Sequence, residues 1–493
     1  MTSVLNGHAS LSPAAQRRIE HHEADVVIVG AGVLGCALAV ALGNQGRSVI
    51  LLEKSLEEPN RIVGELLQPG GVQALDQLGL RDCLEDIDGI DVKGYWVSYL
   101  GEPVLLEYPK SSPTSPTPLG RAFHHGRFVM KLRAAALSCP NVTVVETKVT
   151  SLITSSYTQE VLGVECITKD VKDCYFGQLT VAADGYNSDF RKEHHQYTPK
   201  RRSKFYGLEL IDAKLPAPNT GHVLLSDNPP VLMYQIGTHE TRILIDIPDN
   251  LPEASIKNGG VKGYMRDKIL PKLPEGAQQS FSDALKQGQL RSMPNSFLPA
   301  SANKTPGLMI LGDALNMRHP LTGGGMTVAL NDVCAIRELL SPERVPNLSN
   351  TGLVLEQLAE FHWKRKNSSS VINILAQALY ALFAADSTYA HSSSSFQITN
   401  RSSTDYYLKA LQRGCFRYFQ IGPVGGPIGL LAGLIKQPLV LVSHFFSVAF
   451  LAIWVHICDT PLSKLLLAPY YAFMILYTAS VVILPYIWTE IWY

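Results

Sequence analysis

Two glycine-rich stretches carry the residue types that could hold a nucleotide cofactor. Residues 24–55 read ADVVIVGAGVLGCALAVALGNQGRSVILLEKS, with Gly30, Gly32 and Gly35 at G-x-G-x-x-G spacing. The spacing alone is a weak signal. Here an apolar β-branched run precedes it, an Ala/Leu-rich helical run follows, and a second apolar strand ends in Glu53, which together make a βαβ unit. In that setting Gly30 permits the tight turn, Gly32 lets a pyrophosphate approach the backbone, and Gly35 lets the helix pack closely on the sheet. The helix N-terminus offers free N–H groups and partial positive charge to the pyrophosphate, and Glu53 can accept hydrogen bonds from the adenosine ribose. This unit does not by itself separate FAD from NAD.

The second stretch is GDALNMRHPLTGGGMTVAL, residues 312–330. Three consecutive glycines cost backbone entropy and pack nothing, so a stable core does not ask for them. The preceding GLMIL reads as a buried strand that delivers Asp313. With the βαβ unit and the ADG turn at 183–185, this stretch resembles the FAD-dependent aromatic-hydroxylase-like flavoproteins. The resemblance implies that Asp313 bonds the ribityl chain and that the glycine turn and the helix beginning near Met326 lie against the flavin ring. The physics agrees: glycines 323–325 let backbone N–H groups come close to a planar ring, and the positive end of the helix stabilises the negative charge of a reduced flavin, a condition for its reaction with O₂.

The elements needed to position these residues predict an α/β fold. A Rossmann-like FAD-binding domain carries an inserted antiparallel-sheet substrate domain and ends in C-terminal hydrophobic membrane helices. The expected boundaries are a disordered tail at 1–23, the first part of the FAD-binding domain at 24–200 and the substrate-binding sheet at 201–300. The return of the FAD-binding domain follows at 301–350, then a helical region at 351–420 interrupted by a Ser-rich segment at 391–404, and membrane-anchoring helices at 421–493. Residues 437–458 and 465–489 carry no charge, and each is long enough to cross ~30 Å of hydrocarbon. Trp454, Tyr486, Trp488, Trp492 and Tyr493 suit a lipid interface, while Pro469, Pro485, His444 and His456 interrupt the runs and leave a one-leaflet arrangement open. Two buried core helices are the alternative.

Lys+Arg and Asp+Glu both number 43 in 493 residues, a balance that argues against nucleic acid as a partner. The eight Cys lack C-x-x-C or zinc spacing and read as reduced thiols on the cytosolic side. No metal is expected: His124 and His125 are neighbours, and adjacent residues on a strand face opposite ways.

Longer motifs narrow the family. RIVGELLQPGG (61–71), GRAFHHGRFVMKLR (120–133), SMPNSFLP (292–299), the whole 312–328 stretch and the two C-terminal segments resemble squalene monooxygenase (squalene epoxidase) of the shorter, fungal type. The resemblance spans about residues 24–490. It implies FAD contacts from Val33 and Leu34 at the pyrophosphate turn and from Glu53 and Lys54 at the ribose. Arg61, Leu66 and Arg133 belong to the same set, with Val149 on the strand framing adenine, and Asp313, Gly325 and Met326 close the site. It implies Tyr95 as the active-site tyrosine, which on its own would read as a core residue, and Gln68 between that tyrosine and the flavin. Arg318 and His319 read as structural or phosphate-facing.

The implied reaction is epoxidation of squalene to (S)-2,3-oxidosqualene through a flavin C4a-hydroperoxide, for sterol (ergosterol) biosynthesis. O₂ is the oxidant and an NADPH-dependent diflavin reductase the electron donor, since the chain has no second dinucleotide fingerprint. An alkene offers no proton to abstract, so no catalytic base is needed, and none is evident. Membrane lipid is an implied partner, and the implied location is the endoplasmic reticulum membrane with the catalytic domain facing the cytosol, and lipid droplets as a second location. The competing readings are a flavin hydroxylase of another lipophilic substrate and a non-enzymatic binding protein similar to GDP-dissociation inhibitors, in which the flavin segment is lost.

Overall fold

The β-branched run of Glu23–Val29 forms the middle of a seven-stranded sheet. The computed structural model describes residues 11–383 and 401–492. Glu23–Val29 pairs in parallel with Val49–Glu53 on one side and with Val171–Ala182 on the other, and Val142–Glu146 lies parallel beyond Val49–Glu53. Val161–Thr168 and Lys148–Thr154 extend the sheet in antiparallel fashion, and Leu308–Ile310 joins the end of Val171–Ala182 in parallel. Both faces of the parallel part are covered, which is why its strands read as continuous apolar runs; Val26, Val27 and Ile28 are fully buried.

This register brings distant turns together. Ala183 N–H donates to Val29 O at 2.9 Å, and Leu311 N–H to Ala182 O at 3.0 Å. The turns after Val29, Ala182 and Ile310 therefore leave the sheet side by side at its carboxyl edge, where open α/β sheets bind ligands.

The second sheet has seven strands in the order Arg291–Phe297, Lys200–Ile211, Glu240–Pro248, Val231–Gln235, Gly221–Leu225, Gly94–Tyr99, Glu102–Glu107. It is antiparallel except where Gly221–Leu225 runs parallel to Gly94–Tyr99. Period-two alternation divides its side chains between two cores. Ile243 and Ile245 face Phe281 and Leu285 of the helix Glu275–Gln287, whereas Leu232 and Leu244 face the cluster that holds Tyr95 and the C-terminal helices. The expected division at residue 200 thus needs correction, because strands from 94–107 cross into the sheet expected to begin at 201. Alternation identifies a strand locally but does not say which sheet it joins.

The α-helices Thr351–Phe383, Arg401–Ile421, Gly425–Leu431, Pro438–Cys458 and Ala468–Trp492 follow to the end of the described chain. The last two form a hairpin, each long and apolar enough to cross a membrane. Arg401–Ile421 runs along that hairpin: Tyr418 Oη bonds His444 Nδ1 at 2.6 Å, Tyr406 Oη bonds His456 Nε2 at 3.4 Å, and Arg413 pairs with Asp459. One side of the hairpin buries Leu441, Ala449, Ile475 and Ile483, while the other exposes Leu439, Phe450, Trp454 and Phe473.

The N-terminal tail expected to be disordered is a helix over Pro13–Glu20, capped by Ser12 Oγ, which accepts from Ala15 N–H at 3.2 Å. Its Arg18 is buried and donates to Thr143 Oγ1, Ser48 Oγ and Pro140 O, tertiary partners that local sequence does not reveal. Residues 1–10, and residues 391–400 of the Ser-rich segment, lie outside the described residues.

Candidate functional site

Between the carboxyl edge of the first sheet and one face of the second lies a cleft with a cavity volume of about 230 Å³. It brings together Gly32, Val33 and Leu34 of the first turn, Arg61 and Leu66, Tyr95, and Asp313, Gly325 and Met326 of the return segment. The glycines divide by role. A Cβ on Gly30, whose φ is +104°, would lie 2.5 Å from Ala183 O, and one on Gly35 would lie 1.8 Å from Gly30 O. A Cβ on Gly32 or Gly325 would meet nothing within 4 Å. Gly30 and Gly35 thus allow the turn and helix to pack, while Gly32 and Gly325 leave bare backbone at the cleft.

Glu53 and Arg133 lie behind the cleft wall. Glu53 Oε2 accepts from Ala31 N–H at 2.7 Å, and Glu53 Oε1 accepts from Ser55 N–H at 3.3 Å. Arg133 Nη2 sits 3.7 Å from Glu53 Oε2, while Arg133 Nε donates to Ala31 O at 3.0 Å. Lys54 is exposed beside them. Val149 is half-buried on Lys148–Thr154, close to the strand exit, where Thr147 N–H donates to Glu53 O at 2.8 Å.

At the return segment, Arg61 Nη2 lies 3.3 Å from Asp313 Oδ2, and Arg191 Nη1 donates to Asp313 O at 3.1 Å. Arg191 Nη2 also donates to Tyr186 O at 2.6 Å, so one guanidinium clamps the ADG turn to the GDA turn. Sequence reasoning missed this residue. The helix Gly325–Leu339 begins one residue before Met326, with its N-terminus at the cleft. The two neighbouring histidines lie at a helix start rather than on the expected strand, His124 being the N-cap of His125–Ser138, and have separate partners: His125 Nδ1 donates to Gly64 O at 2.8 Å, while His124 Nε2 lies 4.0 Å from Glu240. Burial pushes His125 down to about 4.

Gln68 is fully buried and ties two elements together. Its Nε2 donates to Thr322 O at 3.0 Å, and its Oε1 accepts from Tyr108 Oη at 2.7 Å. Tyr95 meets Tyr108 edge to face, ring centroids 5.7 Å apart, and burial holds its phenol neutral by raising its pKa. Tyr108 is a second residue that sequence reasoning missed. Its signal was available in register: Tyr95 pairs with Leu106, and a residue two further along shares the face.

A squalene epoxidase family model matches residues 176–470. The squalene epoxidase of Aspergillus fumigatus is 66% identical, covering 99% of each chain. The chain belongs to the squalene epoxidase family. The squalene monooxygenase of Mus musculus is 42% identical over 95% of this chain and 78% of its own. Among solved structures, a probable FAD-dependent monooxygenase of Pseudomonas aeruginosa superposes with a TM-score of 0.62 at 20% identity, covering 73% of this chain and 96% of that one. A flavin-dependent brominase superposes at 0.61 with 16% identity, covering 86% of this chain and 98% of that one. These likenesses extend to the fold.

The squalene epoxidase cleft fits FAD by its own chemistry. Bare backbone at Gly32 meets a helix N-terminus, as a pyrophosphate requires. On the cleft wall, Arg61 Nε and Arg318 Nε and Nη1 are buried without hydrogen-bond partners, and buried polar atoms ordinarily have one. Residues 32–34 would hold the pyrophosphate, Glu53 and Arg133 the adenosine end, Asp313 the ribityl chain, and Gly325 and Met326 the ring.

Proposed function

We propose that this protein uses FAD to epoxidise squalene for sterol biosynthesis, with O₂ as oxidant and electrons delivered by an NADPH-dependent diflavin reductase. The balance is squalene + O₂ + NADPH + H⁺ giving 2,3-oxidosqualene + NADP⁺ + H₂O. The observation that carries the reading is the composition of one cleft. Its glycine turns suit a dinucleotide, while its wall of Leu66, Tyr95, Leu232, Tyr234 and Leu244 belongs to the same apolar cluster as Leu441, Ile475 and Ile483 of the C-terminal hairpin.

Bound FAD supplies the activation of O₂ that an unactivated alkene needs. The chain's own residues then have three tasks. Leu66, Leu232 and Leu244 exclude water and receive the hydrocarbon. The Tyr108–Gln68–Thr322 hydrogen bonds fix the loop ahead of Gly325 against the second sheet. Tyr95, neutral and facing Tyr108 and Gln68, shapes the pocket where the alkene is held within reach. No residue need take a proton from the alkene.

The hairpin places the cleft at a lipid surface, the endoplasmic reticulum membrane in this reading, with the catalytic body on the cytosolic side and lipid droplets as a second location. Lys409, Arg413 and Arg417 recur every four residues on the exposed face of Arg401–Ile421, along the hairpin. A cation at the bilayer centre costs about 3 kcal/mol, whereas the same stripe is favourable against anionic headgroups. This supports a hairpin seated in one leaflet.

The test is to incubate the purified full chain in lipid vesicles with FAD, reductase, NADPH, O₂ and squalene, and to weigh the product. Squalene plus one oxygen atom is expected; unchanged squalene with NADPH consumed would overturn the reading.

A further inference from the structure

The carboxylate nearest the end of the chain is joined to the cofactor cleft by side chains alone. Glu490, on the last apolar helix Ala468–Trp492, is buried. Its Oε2 accepts from Ser370 Oγ at 2.8 Å and its Oε1 from Asn373 Nδ2 at 2.9 Å. Asn373 Nδ2 also donates to Asn316 Oδ1 at 3.1 Å, so the two hydrogens of one amide bridge Glu490 and the return segment. Asn316 Oδ1 in turn accepts from Arg318 Nη2 at 2.7 Å, and Arg318 Nη2 reaches Asn316 O at 3.0 Å. Asn316 is itself fixed, since its Nδ2 donates to Leu298 O at 2.8 Å.

Half-buried Arg318 differs from the fully buried guanidinium of this network. Arg365 is matched by Asp332, which lies 3.0 Å away. Arg318 has no carboxylate in contact, lines the cleft, and keeps Nε and Nη1 without partners. Burial pushes Arg318 down to about 10, with Asp313, Asp332 and Glu490 acting to keep it charged. A half-buried cation whose unused donors Nε and Nη1 are themselves buried, on the wall of a cofactor cleft, is suited to an anionic partner.

We propose that Arg318 is a cofactor-facing cation of this enzyme and that Glu490 is its positioning residue, acting from the membrane hairpin through Asn373 and Asn316. The inference rests on FAD occupying the cleft. On this account the last helix does more than anchor the protein: its seat on the catalytic body sets where a positive charge stands relative to the flavin. Anionic reduced flavin is stabilised by that charge, so a correctly placed Arg318 raises the reduction potential and tightens FAD binding.

The sign of the effect separates positioning from direct electrostatics. Deleting a negative charge in itself raises the potential of a nearby flavin. Loss of Arg318's placement lowers it. Full-length protein in lipid nanodiscs is titrated with FAD and reductively titrated for wild type, Glu490→Gln, Glu490→Ala, Arg318→Met and Asn373→Ala. Glu490→Gln keeps an acceptor for Asn373 while losing the charge, and is expected to bind FAD as wild type does with a potential at or slightly above the wild-type value. Glu490→Ala, Asn373→Ala and Arg318→Met are expected to lower the potential together and to weaken FAD binding about tenfold, and Glu490→Ala is expected to add nothing to Arg318→Met. A Glu490→Ala protein with a reduced melting temperature but an unchanged potential and FAD affinity would show a purely structural role and overturn the proposal. If Glu490→Ala does not fold, wild-type values in Arg318→Met or Asn373→Ala overturn it equally. Failure of the wild type to bind FAD would instead overturn the cofactor reading.

Discussion

The same substitution three residues apart should have opposite consequences. In Gly35→Ala the new Cβ would lie 1.8 Å from Gly30 O, where ordinary contact begins near 3.4 Å. The helix and the turn must therefore separate by about 1.5 Å, an overpacking whose usual cost of about 1–3 kcal/mol is here at the upper end. Gly30 cannot yield easily, being wedged against Ala183 O. At about 2.1 cal/mol/K of unfolding entropy per residue, the melting temperature of a chain of 493 residues should fall by roughly 3 °C. In Gly32→Ala the Cβ meets nothing within 4 Å, and φ is −84°, which alanine adopts freely. The fold should lose no more than about 1 kcal/mol for a poorer N-cap. The methyl stands, however, where the pyrophosphate must approach. Loss of one charge-assisted hydrogen bond, about 1.5–3 kcal/mol, weakens FAD by about 10- to 100-fold. The assays are a thermal melt of flavin-free protein and an equilibrium FAD titration of each variant. A Gly32→Ala protein that binds FAD as wild type does would refute the placement of the pyrophosphate, and a Gly35→Ala protein of unchanged stability would refute the packing argument.

Tyr108→Phe removes the donor to Gln68 Oε1 at a fully buried site and should cost about 1–3 kcal/mol together with epoxidation rate, read by melting and by turnover; unchanged turnover would dismiss Tyr108 as a positioning residue. For pH, burial lowers His125 from its ordinary 6.5 to about 4, so the unfolded chain takes up a proton that the folded chain refuses. The stability present above pH 6.5 is lost as pH falls from 6.5 toward 4, by roughly 3 kcal/mol at most. His125→Gln should flatten that loss, with His222, shifted the same way, leaving a residual slope. Replacing Lys409, Arg413 and Arg417 by Glu should weaken flotation with vesicles containing anionic lipid and leave flotation with neutral vesicles nearly unchanged; equal binding to both would remove the basic stripe from the membrane contact.

The two cofactor turns were readable because each combines a short apolar strand with residues of unusual backbone demand. Gly30 at φ +104° and Gly323 at φ +63° are positions that most side chains resist. The helix Pro13–Glu20 was also readable in principle, since Ser12 and Pro13 make a helix start, yet the polar composition around it suggested a tail. What could not be read locally depends on tertiary register. Tyr95 lies on the second sheet because Gly94–Tyr99 pairs with Gly221–Leu225, over a hundred residues away in sequence. Arg191 and Arg318 look like ordinary basic residues until their partners, Asp313 O and Asn316, are in place. Glu490 would pass for a polar break in an apolar helix; only the docking of that helix on Thr351–Phe383 gives it partners.

A single FAD held between residues 32–34 and 313–326 is what the proposed chemistry requires. An experimental density map of the flavin-loaded full-length protein tests it most directly. The pyrophosphate should lie against the backbone of residues 32–34 and the ring against Gly325 and Met326. A flavin bound elsewhere, with the cleft filled by side chains or lipid, would contradict it.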